Sequence, residues 1–172
     1  MMSLTKGRYR ARFARGQADV LAGQRLRTRA FRKTAEAGLD ADDFDDLCEH
    51  ILVEDQRTGA LVCCFRILPL TGGKDIAKSY SAQYYELSAL ETFEGPIVEM
   101  GRFCIDPDLK DPDILRVAWG AMTSYVDEAG VELLFGCSSF HGTAADKYLE
   151  AFAIPKGRPP GPKHRTTKGN SL

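Results

Sequence analysis

The sequence is organised around Ile97-Val98-Glu99-Met100-Gly101-Arg102-Phe103-Cys104-Ile105, an apolar and β-branched run interrupted by a carboxylate, a glycine and a guanidinium. Such a run predicts an interior strand. An interior strand has no ordinary place for Glu99 or Arg102, because an unpaired buried charge costs far more free energy than a buried methylene. Gly101 indicates a bulge or a close approach to the backbone. Two interpretations stay open: a structural Glu99–Arg102 ion pair or edge strand, and a site that uses both charges.

The segments on either side of this strand predict an α/β fold, because helical and strand-like patterns alternate. Downstream, Asp111 is placed as an N-cap before Pro112, and Gly130 ends a helix with one apolar stripe. Upstream and beyond, the patterns predict an edge or first strand at 8–13, a basic helix at 19–33, strands at 48–53, 60–68 and 131–137, and a helix from 143 to about 152.

Length and composition predict one globular domain followed by a tail. A chain of 172 residues is long enough to bury a core without metal or disulfide support. We place the domain at residues 1–153 and a disordered Pro/Gly/Lys-rich tail at 154–172, because that tail holds almost nothing to bury. The five cysteines form no CxxC pair and the three histidines are isolated, so we predict no metal site. With no signal peptide or long apolar span, we expect reduced cysteines and a cytoplasmic protein.

Charge is unevenly distributed along the chain. Residues 1–33 hold ten Lys/Arg and one Asp, whereas residues 36–55 hold nine Asp/Glu and no Lys/Arg. The basic segment is compatible with nucleic acid, an anionic membrane surface, an acidic protein partner or a solvated helix face.

The acidic segment needs cations, because carboxylates at this density repel one another. Arg66 and Arg102 both lie in predicted strands, and we expect them to face Asp42 and Asp45, with Arg25 joining the set. The resulting cluster would hold the first helix and the acidic loop over a cleft. Replacement of Arg102 by alanine is expected to leave buried carboxylates unpaired and to unfold the protein.

Five motifs in order resemble the GNAT acyltransferase superfamily, and more narrowly the L-ornithine Nα-acyltransferases of bacterial ornithine-lipid synthesis, with the acyl-homoserine-lactone synthases as relatives. The motifs are Arg25 with Phe31, Asp42-x-Phe44-Asp45 with 48–53, 65–69, 99–105, and Leu134-Phe135-Gly136-Cys137-Ser138-Ser139-Phe140-x-Gly142-Thr143. The resemblance implies a GNAT-type mixed sheet flanked by helices. Family members continue well past Thr143, so we expect a domain that is incomplete at its C-terminus.

The turn after the central strand departs from the family pattern. Most GNAT enzymes bind the pyrophosphate of coenzyme A there with a glycine-rich turn, but this chain has Asp106-Pro107-Asp108-Leu109-Lys110-Asp111. Three carboxylates and a proline suit a diphosphate poorly. As the resemblance also implies, this favours acyl-phosphopantetheine on acyl carrier protein as the donor substrate, with no bound cofactor.

The resemblance implies transfer of a 3-hydroxy fatty acyl group to the α-amine of ornithine, and the residues supply candidates for each role. Glu99 is the candidate general base and Arg102 lies beside it, with a structural ion pair as the alternative. Backbone N–H groups near Gly101 would polarise the thioester carbonyl. The organising set Asp42, Asp45, Arg66 and Arg25 would shape the acceptor site, and the acidic loop would also suit the side-chain ammonium of ornithine. A cysteine in an apolar run is usually a core residue, so no cysteine nucleophile is predicted.

Predicted partners follow from these assignments. A basic face that includes Arg29, Arg32 and Lys33 would attract the acidic carrier protein, and peripheral contact with the inner membrane and a homodimer through the 131–137 edge are further expectations. Nucleic acid is not expected as a partner. Two alternatives stay open: an acyl-homoserine-lactone synthase, and an inactive truncated module that binds acyl carriers.

Overall fold

Six strands form one mixed sheet in the computed structural model of the protein, which describes residues 3–31 and 38–138. The strands are β1 (Ser3–Lys6), β2 (Tyr9–Phe13), β3 (Glu49–Asp55), β4 (Leu61–Leu70), β5 (Ile97–Ile105) and β6 (Leu133–Gly136), and the helices are α1 (Gln17–Phe31) and α2 (Pro112–Ala129). Strand order in the sheet follows chain order, and every neighbouring pair is antiparallel except β5 and β6, which run parallel. The predicted mixed sheet flanked by helices is confirmed.

The two helices cover opposite faces of the sheet. Helix α2 packs its stripe of Ile114, Val117, Ala118, Ala121 and Met122 on the larger core, which includes the inward side chains of β2, β3 and β4. Its boundaries match the sequence, because Asp111 caps the N-terminus, Pro112 follows, and Gly130 adopts the left-handed conformation at the end. Helix α1 covers a smaller cluster on the other face that contains Leu26, Leu52, Cys64 and Cys104.

Strand β2 is not an edge strand, which corrects one prediction. β1 pairs outside it through a tight turn in which Gly7 has φ 59°. The sequence did not reveal β1 because Ser3–Lys6 is short and mostly exposed, so it lacks an apolar pattern.

Residues 71–95 contain three short 3-10 helices. They are Gly73–Lys78, Ser81–Gln83 and Ser88–Leu90. Apolar side chains from this segment, among them Ile76, Leu87 and Phe93, pack with Ile97 in a third cluster. The segment therefore lies over the beginning of β5, on the face that carries α1.

Strand β4 continues through Pro69, where the sequence predicted its end. β3 pairs with β4 only as far as Glu49 and Ile67, so Pro69 lies where β4 has a neighbour on one side alone. A proline is tolerated at such a position because one side of the backbone forms no ladder. The predicted helix at 143–152, the domain boundary at 153 and the tail at 154–172 lie outside the described residues.

Candidate active site

The central strand β5 contains a bulge at the glycine and arginine that the sequence singled out. Cys64 pairs with Cys104 and Arg66 with Gly101, so β5 holds one more residue than β4 across this interval. Arg102 has φ 52°, a region that side chains other than glycine rarely adopt and that costs about 1–3 kcal/mol. The bulge predicted from Gly101 is thus confirmed, and it redirects the side chain that follows.

Strands β5 and β6 part directly beside this bulge. Their ladder runs from Ile97 with Leu133 to Met100 with Gly136, after which β5 continues to Ile105 while β6 ends. A Cβ on Gly136 would lie 2.3 Å from the carbonyl oxygen of Met100, so only glycine allows the last pair to form. Beyond that pair, the second half of β5 has no strand partner on this side within the described residues.

Glu99 is buried and does not pair with Arg102, so the predicted ion pair between them is wrong. Its Oε2 accepts a hydrogen bond from the backbone N–H of Tyr80 (2.7 Å), and its Oε1 accepts from the backbone N–H (2.7 Å) and the hydroxyl (2.5 Å) of Ser81. The residue is 4% exposed. Glu99 therefore anchors the 3-10 segment to β5 by its carboxylate, and its charge is satisfied by three donors rather than by a cation.

The predicted cluster of arginines and aspartates is present on the same face. Arg66 donates to Asp42 (2.5 and 2.9 Å) and to Asp45 (2.7 Å), and Arg102 donates to Asp42 (3.1 Å). These contacts confirm the expectation for Arg66, which faces both aspartates, whereas Arg102 faces Asp42 and Asp40 but not Asp45. A capping box between Asp42 and Asp45 closes the 3-10 helix Asp43–Asp45, so the loop's own hydrogen bonds also help to define its shape.

Arg27 enters the cluster in place of Arg25, which corrects the sequence assignment. Arg27 donates to both carboxylate oxygens of Asp45 (2.6 and 2.7 Å) and to the backbone carbonyl of Asp40, and Gln24 adds a bond to Asp45 (2.9 Å). Arg25 is exposed on the opposite side of α1. Helical spacing contained this information, since Gln24 and Arg27 are three residues apart on the buried stripe.

The cluster keeps its carboxylates ionised. Burial alone would raise the pKa of Asp45, but hydrogen bonds from Arg27, Gln24 and Arg66 outweigh burial and hold the pKa well below its usual range. The pKa of Asp42 is likewise lowered, because the bonds from Arg66 and Arg102 exceed the effect of burial. At neutral pH Asp42 and Asp45 are thus ionised, and their charge faces the guanidinium groups of Arg27, Arg66 and Arg102.

Tyr80 connects the cluster to Glu99. Its backbone N–H binds the carboxylate, while its ring lies 5.8 Å from the guanidinium of Arg66 and 5.6 Å from that of Arg102. Phe44 packs edge-on against the same ring and 5.6 Å from Arg66. Sequence reasoning missed Tyr80 because no local pattern links residue 80 to a strand that begins at residue 97.

Several arginines of the basic segment, among them Arg29 of the predicted basic face, form ion pairs within the protein. Arg29 donates to Asp106 (2.9 and 3.1 Å) and Asp108 (3.0 Å), so α1 holds the turn after β5 that replaces a glycine-rich turn. On β2, Arg12 pairs with Asp19 and Glu54. Next to β2, Arg8 pairs with Asp55 in the same way. Arg32 and Lys33, also assigned to this face, lie outside the described residues.

An apolar groove lies on the other face of the sheet, between α2 and β6. It has a volume of about 290 Å³ and is lined by Trp119, Met122, Thr123, Val126, Val131, Glu132 and Leu134. Trp119 continues the lining toward β5, because it stacks on Phe103 (6.3 Å between centroids), which stacks on Phe65 (5.6 Å). Aromatic side chains therefore form a continuous row from Phe65 through Phe103 to the groove.

Cys137 is exposed, whereas the sequence placed it in an apolar strand. The strand ends at Gly136, and the thiol of Cys137 then lies 2.9 Å from the hydroxyl of Ser81. Within the described residues no group of three or more His, Cys, Asp or Glu side chains is arranged to hold a metal ion. His141 lies beyond those residues. No helix in 3–31 or 38–138 is both long and apolar enough to cross a membrane.

Comparison with known sequences gives a consistent result. Residues 26–120 match the acetyltransferase (GNAT) domain family. The chain is 32% identical over 149 residues to the L-ornithine N(alpha)-acyltransferase of Rhodobacter capsulatus, an alignment that covers 78% of this chain and 58% of the relative. It is 29% identical over 152 residues to the enzyme of the same name from Brucella abortus, with 79% and 54% covered. The chain thus spans a little over half the length of these relatives.

Comparison with solved structures supports the same fold. The AHL synthase LasI superposes with a TM-score of 0.52 at 20% identity, and the match covers 74% of this chain and 71% of LasI. FeeM, an N-acyl amino acid synthase from uncultured soil microbes, gives a TM-score of 0.53 at 16% identity over 74% and 70% of the two chains. The resemblance inferred from the five motifs is confirmed by the family match and the curated relatives, and these two solved structures show the same fold.

Proposed function

The chain belongs to the GNAT acetyltransferase domain family, and from that premise we propose that it is an N-acyltransferase that moves a 3-hydroxy fatty acyl group from acyl carrier protein to the α-amine of L-ornithine. The product would be lyso-ornithine lipid. The observation that carries the proposal is the buried carboxylate of Glu99 on β5, beside the place where β5 and β6 part. The acceptor is proposed from the names of the curated relatives.

The proposed reaction has three chemical events that the site must support. The uncharged α-amine attacks the thioester carbon, the carbonyl oxygen becomes an oxyanion, and the thiolate of the carrier leaves. Backbone N–H groups at Gly101 and Arg102 lie just beyond the last β5–β6 pair, and we assign them to the developing oxyanion. Glu99 is assigned as the base that receives the proton of the amine.

The arginine and aspartate cluster is assigned an organising role. The carboxylates of Asp42 and Asp45 already accept hydrogen bonds from Arg66, Arg27 and Arg102, so their charge is used within the protein. They hold Arg102 and the loop at the side of the cleft, which fixes the walls against which the acceptor binds. Such fixed surroundings matter because a small misplacement of the reacting atoms costs rate steeply.

We assign the donor to acyl carrier protein rather than to coenzyme A. The turn after β5 has Asp106 and Asp108 where a pyrophosphate would need N–H groups, and both carboxylates bind Arg29. A phosphopantetheine arm brings a single phosphodiester, for which less positive charge is needed. The acyl-phosphopantetheine is a substrate in this proposal, and no resident cofactor is invoked.

The acyl chain is assigned to the apolar groove between α2 and β6. Its volume of about 290 Å³ and its lining of aliphatic and aromatic side chains suit a hydrocarbon chain. Trp119, Leu115 and Leu134 are at least 38% exposed at this surface. We extend the proposal to a cytoplasmic protein that contacts the inner membrane peripherally here, because a lipid product leaves an apolar surface most readily into a bilayer.

The test is a product assay with the purified 172-residue chain. It is incubated with 3-hydroxyacyl carrier protein and a panel of amino acids, and products are identified by mass spectrometry. Acyl-ornithine is the expected product. An acyl-homoserine lactone would assign the chain to the alternative synthase activity, and carrier binding without any product would assign it to a binding module. Light scattering in the same preparation tests the proposed homodimer through β6.

A further inference from the structure

We infer that Ser81 is the proton relay between Glu99 and the acceptor amine, an assignment that rests on the proposed function and deepens it. The starting point is that both carboxylate oxygens of Glu99 already accept hydrogen bonds from the protein. Oε2 is occupied by the N–H of Tyr80, and Oε1 is occupied by the N–H and the hydroxyl of Ser81. Since Glu99 is 4% exposed, a proton reaches its carboxylate through a partner, and Ser81 is the partner with an exchangeable hydroxyl proton.

The hydroxyl of Ser81 is oriented by its two neighbours. An ionised carboxylate only accepts hydrogen bonds, so the Ser81 O–H donates to Oε1 of Glu99. The lone pairs of Oγ are then available on the other side, where the thiol of Cys137 lies at 2.9 Å. Cys137 is exposed and follows the end of β6. The accepting side of Ser81 therefore lies toward Cys137, just past the end of β6, and Glu99 lies on its other side.

A thiol is a weak hydrogen-bond donor. An amine N–H that approaches the same lone pair makes a stronger bond, so it displaces the thiol at little cost. The contact between Cys137 and Ser81 is therefore the one that the substrate amine replaces. The hydrogen bonds from the backbone of residues 80 and 81 to Glu99 stay intact.

The proton movements balance through this array. As the amine nitrogen bonds to the thioester carbon and the C–S bond breaks, the amine proton moves to Oγ of Ser81 and the hydroxyl proton of Ser81 moves to Glu99. The reverse movement delivers a proton to the leaving thiolate. The products are an amide and a free thiol, and Ser81 and Glu99 return to their starting protonation states.

The chain offers a matched control in the same loop. Ser79 is as buried as Ser81, but its hydroxyl donates to the carbonyl of Ile76 (2.7 Å) and does not contact Glu99. We expect Ser81→Ala to lower kcat roughly 100-fold, the usual loss for an acid–base partner, with KM for the amine within about twofold. Ser79→Ala should stay near the parent, and Ser81→Thr should restore part of kcat.

Additional variants show whether Ser81 acts through Glu99. Glu99→Gln and the double variant Ser81→Ala/Glu99→Gln should have equal kcat, because two members of one relay are not additive. Equal losses in Ser81→Ala and Ser79→Ala, or an additive double variant, would overturn the inference and leave Ser81 with a structural role.

Alkylation of Cys137 tests the array without any acyl transfer. The other four thiols are less accessible, because Cys63, Cys64 and Cys104 are buried and Cys48 is half-buried with a pKa that burial raises to about 11, so iodoacetamide reports on Cys137. We expect Glu99→Gln to accelerate alkylation at least threefold at neutral pH, since the Ser81 hydroxyl is then free to donate to the sulfur instead of to the carboxylate. The acceleration should be at least halved in the Ser81→Ala background. An unchanged rate in Glu99→Gln overturns the relay even if the chain acylates no amine, and a coupled rate without transfer points instead to failure of the proposed function.

Discussion

At the residue scale, Arg66 carries more of the stability than Arg102. Arg66 has a 3% exposed side chain between Asp42 and Asp45, whereas Arg102 is 28% exposed and shares Asp42 with Arg66. Removal of Arg66 leaves two carboxylates short of a partner in a buried site. We expect Arg66→Ala to lower the free energy of unfolding by about 3–5 kcal/mol and Arg102→Ala by about 2 kcal/mol or less.

Urea denaturation of the two variants and the parent measures this difference. The order corrects the sequence-based expectation, which assigned the large loss to Arg102. A loss in Arg102→Ala that equals or exceeds the loss in Arg66→Ala would contradict the geometry.

The same urea series measures the cost of Glu99→Gln. The amide NH₂ of the glutamine would face a backbone N–H of Tyr80 or Ser81, and we expect the free energy of unfolding to fall by about 1–3 kcal/mol.

Stability should depend on pH through the acidic loop. The pKa values of Asp45 and Asp42 are lower in the folded chain than the value near 3.9 of an unfolded aspartate. A lowered folded-state pKa contributes stability that is fully present above the unfolded value and is lost as pH falls toward the folded value. We expect a constant free energy of unfolding from pH 7 to about 5 and a decline below about 4.

The variant Asp45→Asn tests the origin of that decline. It removes one carboxylate with a lowered pKa, so the unfolding free energy should start lower at neutral pH and fall less steeply in acid. Urea curves at pH 7, 5, 4 and 3 provide the comparison. A slope as steep as that of the parent would place the acid sensitivity elsewhere, for example at Asp55, whose pKa is held down chiefly by its hydrogen bond from Arg8.

The contents of the site were only partly predictable from single residues. Opposite charges in strands and in an acidic loop sufficed to predict the contacts of Arg66 and Arg102. The pairing of Glu99 with residues 80 and 81 was not predictable, because it depends on where an irregular segment lies in three dimensions. Arg25 was assigned to the cluster in place of Arg27 because the apolar pattern of α1 is too weak to show clearly which side of the helix is buried.

At the scale of elements, the β5 bulge can be tested at Arg102. Glycine and alanine both remove the guanidinium there, but they differ in how well they tolerate its backbone conformation. Arg102 has φ 52°, a conformation that glycine adopts without strain and that strains alanine. In an ordinary strand a glycine is about 0.5–1 kcal/mol worse than an alanine. Here we expect Arg102→Gly to be more stable than Arg102→Ala by about 1 kcal/mol. Thermal or urea denaturation of both variants would show this, and the ordinary order of stability would mean that the bulge relaxes.

The stability of the β5–β6 junction should also depend on a single methyl group. A Cβ at residue 136 would meet the carbonyl oxygen of Met100 at 2.3 Å. We expect Gly136→Ala to destabilise the protein by about 1–3 kcal/mol and to change the alkylation rate of Cys137. Gly16→Ala is the control, because nothing lies within 4 Å of its added Cβ. A neutral Gly136→Ala would contradict the close approach of the two strands.

The regular elements were predictable where side-chain periodicity and caps agree. Asp111, Pro112 and Gly130 delimit α2 in the sequence as they do in the structure. The misses fall where pattern is absent: β1 is short and polar, and residues 71–95 are held by contacts with β5 rather than by their own periodicity.

At the scale of the molecule, the charge available to a carrier protein is smaller than the sequence indicates. Arg29 is bound to Asp106 and Asp108, whereas Arg25 is exposed on the same helix and makes no ion pair within the described residues. We expect Arg25→Glu to slow association with acyl carrier protein without a loss of stability, and the effect to shrink as salt rises.

Stopped-flow association at several ionic strengths measures this effect. Arg29→Glu is a poorer variant, because it would also set three carboxylates against one another in the turn after β5. Association that is insensitive both to Arg25→Glu and to salt would leave the electrostatic account of carrier binding without support. The prediction for Arg32 and Lys33 stays a prediction of the sequence.

Strand order along the sheet repeats strand order along the chain, from β1 to β6. Within the described residues, each strand therefore pairs with the strand that was synthesised just before it. Such an order needs no strand to insert between two that are already paired, and topologies with lower contact order fold faster than interleaved ones. The sheet is thus suited to assembly during synthesis, one strand at a time and in a single direction.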